Sequence, residues 1–233
     1  MKTLIILHGW QSSKEKWQKV KEQIEKENIE VIVPDLPGFK TELTEVWNLD
    51  DYLDWFYDFS LSKEKFFLLG HSFGGRLAIK FALRHPGKLN GLILVSAAGI
   101  KHKKTSFELF LSKIAKVGNE FHFFPFFSFF RKIFYRFIVR KTDYLKTEGV
   151  LKETFKKIVA EDLTPFLPQV QIPTLIIWGK NDKITPLEDA YLLKEKIKNS
   201  ELEVLENAGH SPHLEVPEKL TEIIIDFLNL KRN

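Results

Sequence analysis

Residues 67–85 read FLLGHSFGGRLAIKFALRH: an apolar run, a serine held between glycines, then apolar residues at helical spacing. Gly70, His71, Ser72, Phe73 and Gly74 spell G-x-S-x-G, and the flanks predict strand, sharp turn and helix, the context in which that pattern carries chemistry. The glycines keep Cβ atoms out of the place where strand and helix crowd together. The serine takes a strained backbone conformation that lifts its hydroxyl above the sheet. There the helix N-terminus and the Phe73 amide favour negative charge on the oxygen of any carbonyl the hydroxyl attacks.

Working outward, short apolar runs recur at residues 3–7, 31–33, 66–69, 92–95, 174–178 and 202–205, each followed by a turn and a helical pattern. Continuous apolar runs without alternation suit strands covered on both faces, so six strands of a mostly parallel sheet are expected. Residues 14–26, 74–84, 187–197 and 218–230 place apolar side chains at helical spacing with charges opposite, and supply the covering layers. The fold class that follows is α/β, doubly wound.

The alternation stops between about residues 100 and 165. Residues 101–141 hold ten Lys/Arg against two Glu, and eleven Phe, many of them in FHFFPFFSFFRKIFYRF. Phe126, Phe127, Phe130, Ile133, Phe134, Phe137 and Ile138 form one stripe, with Arg131, Lys132, Arg136 and Arg140 off it, which predicts an amphipathic helix. Pro165, Pro168 and Pro173 mark the return to the sheet. The expected organisation is a core of residues 1–100 and 165–233 with a helical insertion over 101–164.

A chain of 233 residues suits this plan, and 44% hydrophobic with 28% charged residues is ordinary for a soluble protein. No run approaches the roughly 18–20 apolar residues of a membrane span. The opening MKTLIILHGW is too short in its apolar part for a secretory signal and reads as a strand, so a cytoplasmic location is expected. The absence of cysteine excludes disulfides, thiolate nucleophiles and cysteine metal sites. A net charge of +4 gives no reason to expect nucleic acid as partner. No metal or cofactor is expected either.

A serine hydroxyl is a weak nucleophile and needs a base within hydrogen-bond reach and an acid to orient that base. Asp182 follows the strand TLIIWG, and His210 follows the strand LEVLEN, both at the C-terminal edge where parallel sheets bind ligands. The chain order Ser72, Asp182, His210 is the one this strand-turn-helix motif predicts. His213 competes with His210 as base. His210 is preferred because Ala208 and Gly209 let its loop approach the serine, whereas Ser211 and Pro212 separate His213 from the turn. His71 should point away from the hydroxyl and pack or orient the turn. For a second oxyanion donor beside the Phe73 amide, the loop HGWQSS offers the amide of Trp10, with Gln11 in reserve.

Taken together these segments resemble the α/β-hydrolase fold superfamily over essentially the whole chain. LHGW resembles its oxyanion loop, VPDLPGF the next strand and turn, and GHSFGG the nucleophile elbow. GKNDKITP resembles its acid loop, and NAGHSPHLEVPE its histidine loop. The resemblance implies a helical cap at the insertion. It also implies an initial antiparallel hairpin that this sequence, whose first strand starts at residue 3, does not offer. Serine at the elbow disfavours the family's aspartate-dependent dehalogenases and epoxide hydrolases and implies acyl chemistry on an ester or thioester. The same triad resembles those of carbon–carbon bond hydrolases, perhydrolases and the menaquinone-pathway lyase, whose elbow often continues GGR as Gly74, Gly75 and Arg76 do. The fold also serves in non-enzymatic ligand receptors. The Phe-rich cap suggests a large apolar acyl or aromatic pocket for a small-molecule substrate, and its basic charge suits weak docking on an anionic membrane surface. A monomer or homodimer is expected.

Overall fold

The six apolar runs become six strands: β1 (Lys2–Leu7), β2 (Ile29–Ile32), β3 (Phe66–His71), β4 (Leu89–Val95), β5 (Thr174–Gly179) and β6 (Ser200–Leu205). They form one sheet, every pair parallel, in the order β2-β1-β3-β4-β5-β6. The computed structural model describes residues 1–101 and 148–230. From β1 the chain steps outward to β2, then crosses back to β3 and proceeds to β6. The connections from β1 and β3 therefore leave in opposite directions, which makes the C-terminal ends of these two strands the switch point of the sheet, the place where such folds bind ligands. The register pairs Leu7 with Gly70 and Val95 with His71, which brings the ends of β1, β3 and β4 to one rim.

Parallel strands bury both faces, and the helices provide the cover. Helix α1 (Gln18–Glu25) is preceded by a 3-10 turn (Lys14–Trp17), and the expected helix over 14–26 closes near Asn28, whose φ of +58 lies in the left-handed region. Further along come α2 (Leu49–Phe59), α3 (Phe73–Arg84), α4 (Gly149–Ala160), α5 (Leu187–Lys196), α6 (Pro212–Glu215) and α7 (Pro217–Leu230). Val20 and Ile24 of α1 join Leu220, Ile224, Phe227 and Leu228 of α7 over Leu4, Ile6, Phe67, Leu69, Ile93 and Val95. Alternate residues of the same strands point the other way. There Phe66 of β3 meets Phe56 of α2 at 6.1 Å between ring centroids, and Phe56 meets Phe81 of α3 at 4.8 Å. Among the described residues, no helix is long and apolar enough to cross a membrane.

Helix α2 is not among the segments assigned from the sequence. Its start is a capping box: the Asn48 side chain accepts from the Asp50 and Asp51 amides, and the Asp51 carboxylate accepts from the Asn48 amide. The signal was Asn48-x-x-Asp51 ahead of an apolar pattern, a less familiar form of the box.

The boundary of the insertion also differs from the one expected. Residues 148–164, assigned to the insertion from the sequence, group with the sheet. The reason is physical. Phe155 of α4 packs on Trp10 at 4.9 Å, and the buried Arg76 of α3 donates to the carbonyls of Ile158 and Glu161 at the end of α4. Burial lowers the Arg76 guanidinium to about 10, which leaves it charged at neutral pH. Lys80, one turn on, bridges Asp50 and Glu161, each at 2.8 Å. The Phe-rich stripe expected over residues 126–138 lies outside the described residues.

The packing of Phe56 gives a direct test. Its ring is wholly buried between two others. Phe56→Ala should lower the unfolding free energy by about 3–5 kcal/mol, read as a shift in the urea midpoint at unchanged slope.

Candidate active site

Ser72 stands between the last residue of β3 and the first of α3, with φ 53 and ψ −114. This is the strained turn the sequence predicts. The backbone around it is tied down: the Ser72 amide donates to the Val95 carbonyl at 3.2 Å, and the Ser72 carbonyl accepts from Ala98 at 2.9 Å. Gly74 cannot be replaced, because a Cβ there would run into the backbone of Leu7. Its absence lets α3 start hard against the end of β1.

Two loops at the ends of β5 and β6 deliver the other groups. Lys180 donates to the Leu205 carbonyl at 3.0 Å and Asn181 to that of Ala208 at 2.9 Å, which laces the loops together. The side of Gly179 that a Cβ would occupy is taken by the carbonyl of Gly209. Asp182 and His210 consequently meet, with carboxylate Oδ2 2.9 Å from imidazole Nδ1. On the other side of the ring, Nε2 lies 3.0 Å from Ser72 Oγ. With Nδ1–H donated to the carboxylate, Nε2 offers its lone pair to the serine hydroxyl. The structure thus brings together the three side chains that the sequence places far apart.

The carboxylate is itself held. Oδ1 accepts from the amides of Ile184 at 2.8 Å and Thr185 at 3.0 Å, and Oδ2 accepts from the Thr185 hydroxyl at 2.8 Å. Burial alone would raise the Asp182 carboxyl, but His210 and these donors outweigh it and hold it below the ordinary value. Sequence reasoning missed Thr185, although an aspartate three residues before a threonine in a Pro-terminated loop is a recognisable side-chain-capped turn.

The loop after β1 closes the far side. Gly9 lies close to the turn: a Cβ built on it would sit 3.3 Å from that of Ser72. The Trp10 and Phe73 rings meet edge to face at 5.3 Å, and Trp10 also contacts Phe39 at 5.0 Å and Phe155 at 4.9 Å. His8, the histidine of LHGW to which the sequence assigned no role of its own, fixes this loop. Its Nδ1–H donates to the Gly9 carbonyl at 2.9 Å, and its Nε2 accepts from the Leu36 amide at 3.1 Å. Burial lowers the His8 imidazole, in keeping with a neutral ring that donates at one nitrogen and accepts at the other. Gln11, the reserve donor, has φ +50 in the same loop.

His213 is not brought to the serine oxygen. Its ring is 2% exposed and stacks on Trp17 at 4.2 Å with an interplanar angle of 2°. Burial, then the charges of Lys16 and His210, push it down to about 3 from an ordinary 6.5. Between those two pH values the unfolded chain carries a proton that the folded one refuses. Stability is therefore fully present above 6.5 and declines as the pH falls, by up to about 1.4 kcal/mol per pH unit for one such ring. His213→Phe keeps a flat ring on Trp17 and removes the proton. Urea unfolding between pH 4 and 6.5 should show a shallower loss of stability by about that slope.

The serine aminopeptidase S33 family matches the chain over residues 1–217. Monoacylglycerol lipase ABHD6 of Mus musculus is 27% identical across 97% of this chain and 75% of its own. A 2-hydroxy-6-oxononadienedioate/2-hydroxy-6-oxononatrienedioate hydrolase of Pseudomonas putida is 26% identical across 97% and 87%. Among solved structures, a thermophilic esterase from Thermogutta terrifontis superposes with a TM-score of 0.73 at 24% identity, over 100% of this chain and 91% of that one. With the sheet order, the elbow and the family match in agreement, the chain belongs to the serine aminopeptidase S33 family and is an α/β-hydrolase enzyme.

Proposed function

We propose that the protein hydrolyses a carboxylic ester or thioester with an apolar acyl or aromatic part, through an acyl-enzyme on Ser72. The observation that carries this reading is the continuous bonding from Ser72 Oγ through both nitrogens of His210 to Asp182, at 3.0 and 2.9 Å. As Oγ bonds to the substrate carbonyl carbon, its proton passes to His210 Nε2 and the carbonyl electron pair moves onto oxygen. That oxygen becomes an oxyanion, for which the amides of Trp10 and Phe73 are the donors in this reading. The imidazolium then gives the proton to the leaving oxygen or sulfur as its bond to carbon breaks. Water repeats the sequence on the acyl-enzyme, losing its proton to Nε2 and releasing the acid with Ser72 restored. Asp182 keeps the ring in the required tautomer and offsets its transient charge.

The aromatic contacts of Trp10 with Phe39, Phe73 and Phe155 support an apolar substrate, as does the relative named a monoacylglycerol lipase. The composition of residues 101–141, rich in Phe and Lys/Arg, supports contact with an anionic lipid surface. A second reading, cleavage of a carbon–carbon bond with the same three side chains, has in its favour the relative named for a hydroxy-oxo-dienedioate.

A panel of p-nitrophenyl esters of increasing chain length separates these. Turnover should rise with acyl length from acetate, and Ser72→Ala should lose roughly 10⁴-fold or more in kcat. A fluorophosphonate should label the wild type once, on Ser72. Ester turnover that survives in Ser72→Ala would overturn the assignment, and turnover confined to dienedioates would favour the second reading.

A further inference from the structure

His71, the residue immediately before the serine, is 4% exposed, and its Nε2 lies 2.8 Å from the carbonyl oxygen of His210. A carbonyl oxygen only accepts, so Nε2 carries the hydrogen and Nδ1 the lone pair. The ring is packed on two sides, with His213 at 4.7 Å and Trp17 at 5.9 Å. Beyond the bonded carbonyl, the amide of Ser211 belongs to the same peptide plane and donates to Glu215 Oε1 at 3.1 Å, while the Gly209 amide donates to Oε2 of that carboxylate. The peptide plane that follows His210 is thus bonded at both ends, by His71 on its oxygen and by Glu215 on its nitrogen.

We propose that His71 is a positioning residue: its bond to the His210 carbonyl fixes the backbone from which the His210 imidazole reaches the hydroxyl next door. This rests on the reading of Ser72 and His210 given above. With that peptide plane held, the carbonyl side of the His210 backbone is set and its side-chain torsions remain. Asp182 at Nδ1 and Ser72 at Nε2 determine those. Two residues 138 positions apart in the chain are in this way registered by the direct neighbour of one of them. Glu215 is exposed, so water can take its place, whereas the buried His71 has no such substitute. Burial, then the nearby rings of His213 and His210, hold His71 well below the ordinary imidazole value. It therefore places no second cation beside His210, whose ring lies 5.1 Å away, when that ring takes the serine proton.

The test compares His71→Met, with similar bulk and no donor, and His71→Gln, whose amide nitrogen sits at the reach of Nε2. On the best p-nitrophenyl ester, His71→Met should lose about 10- to 100-fold in kcat, the range that a misplacement near 1 Å produces. KM should stay within about twofold, and fluorophosphonate labelling should slow in parallel. His71→Gln should recover most of the rate. Urea midpoints measured on both variants separate packing from positioning: equal midpoints with unequal rates support the bond. Wild-type rates in His71→Met, or equally slow Met and Gln variants that are both folded, would overturn the proposal. Should His71→Met not fold, ring nitrogen NMR of the wild type decides, since a proton on Nδ1 instead of Nε2 removes the donor. Wild-type turnover in Ser72→Ala would instead overturn the underlying reading, and the tautomer measured by NMR would still stand or fall separately.

Discussion

Everything at the rim depends on one backbone constraint, the turn at Ser72. A non-glycine residue at φ 53 and ψ −114 lies outside the broadly allowed regions and is sustained only by its surroundings. Those surroundings are identifiable. The amide and carbonyl of Ser72 are bonded to Val95 and Ala98 around the end of β4, and α3 presses on β1 through a glycine that no other residue can replace. Without the turn, β3 would run on into α3 by a wider loop, and the hydroxyl would have no fixed height above the sheet. Backbone conformation, not side-chain identity, is what aims the serine.

The second element is the meeting of the β5 and β6 loops. A parallel sheet carries every strand's C-terminal end to the same rim, so groups from strands distant in the chain are brought near at no extra conformational cost. Nearness is not yet geometry. The lacing bonds of Lys180 and Asn181 bring the loops to one position, and the three donors on Asp182 fix its plane. The carboxylate is fully buried as a side chain and yet held below its ordinary pKa. Its negative charge is thereby favoured beside the imidazole.

How far the sequence reveals this follows the same division. The inner strands β1, β3, β4 and β5 were legible because a short apolar run bounded by turns fits a strand covered on both faces, whereas the outer β2 and β6, each interrupted by Glu, were legible from their place in the alternation of strand and helix. Ser72, Asp182 and His210 were legible because each stands in the turn or loop that follows a strand. Helix α2 was obscured by acidic residues at Asp50, Asp51, Asp54 and Asp58 and by a cap built from asparagine and aspartate. The limit of the insertion was misplaced because Pro165 and Pro168 read as the re-entry to the sheet, whereas they sit in a 3-10 turn (Thr164–Gln169) that follows α4. The bond from His71 to the His210 carbonyl left no trace at all, since its acceptor is a backbone atom that every residue possesses. Side-chain chemistry at chain-local signals is readable; long-range bonds to backbone are not.

The fate of Arg76 bears on which reaction the proposed site performs. An arginine one turn into the elbow helix invites the reading that it binds an anionic group of the substrate. In the fold, its Nη1 is committed to two carbonyls at the C-terminal end of α4, where the helix dipole adds to the attraction. A guanidinium so placed anchors α4, and with it Phe155, against Trp10. Its contribution to the proposed reaction is the shape of an apolar wall and not a charge for the substrate. In the proposed reading an apolar acyl part would lie against that wall beside the bonded Ser72, His210 and Asp182, whereas a polyanionic substrate would have to find its cations at residues other than Arg76.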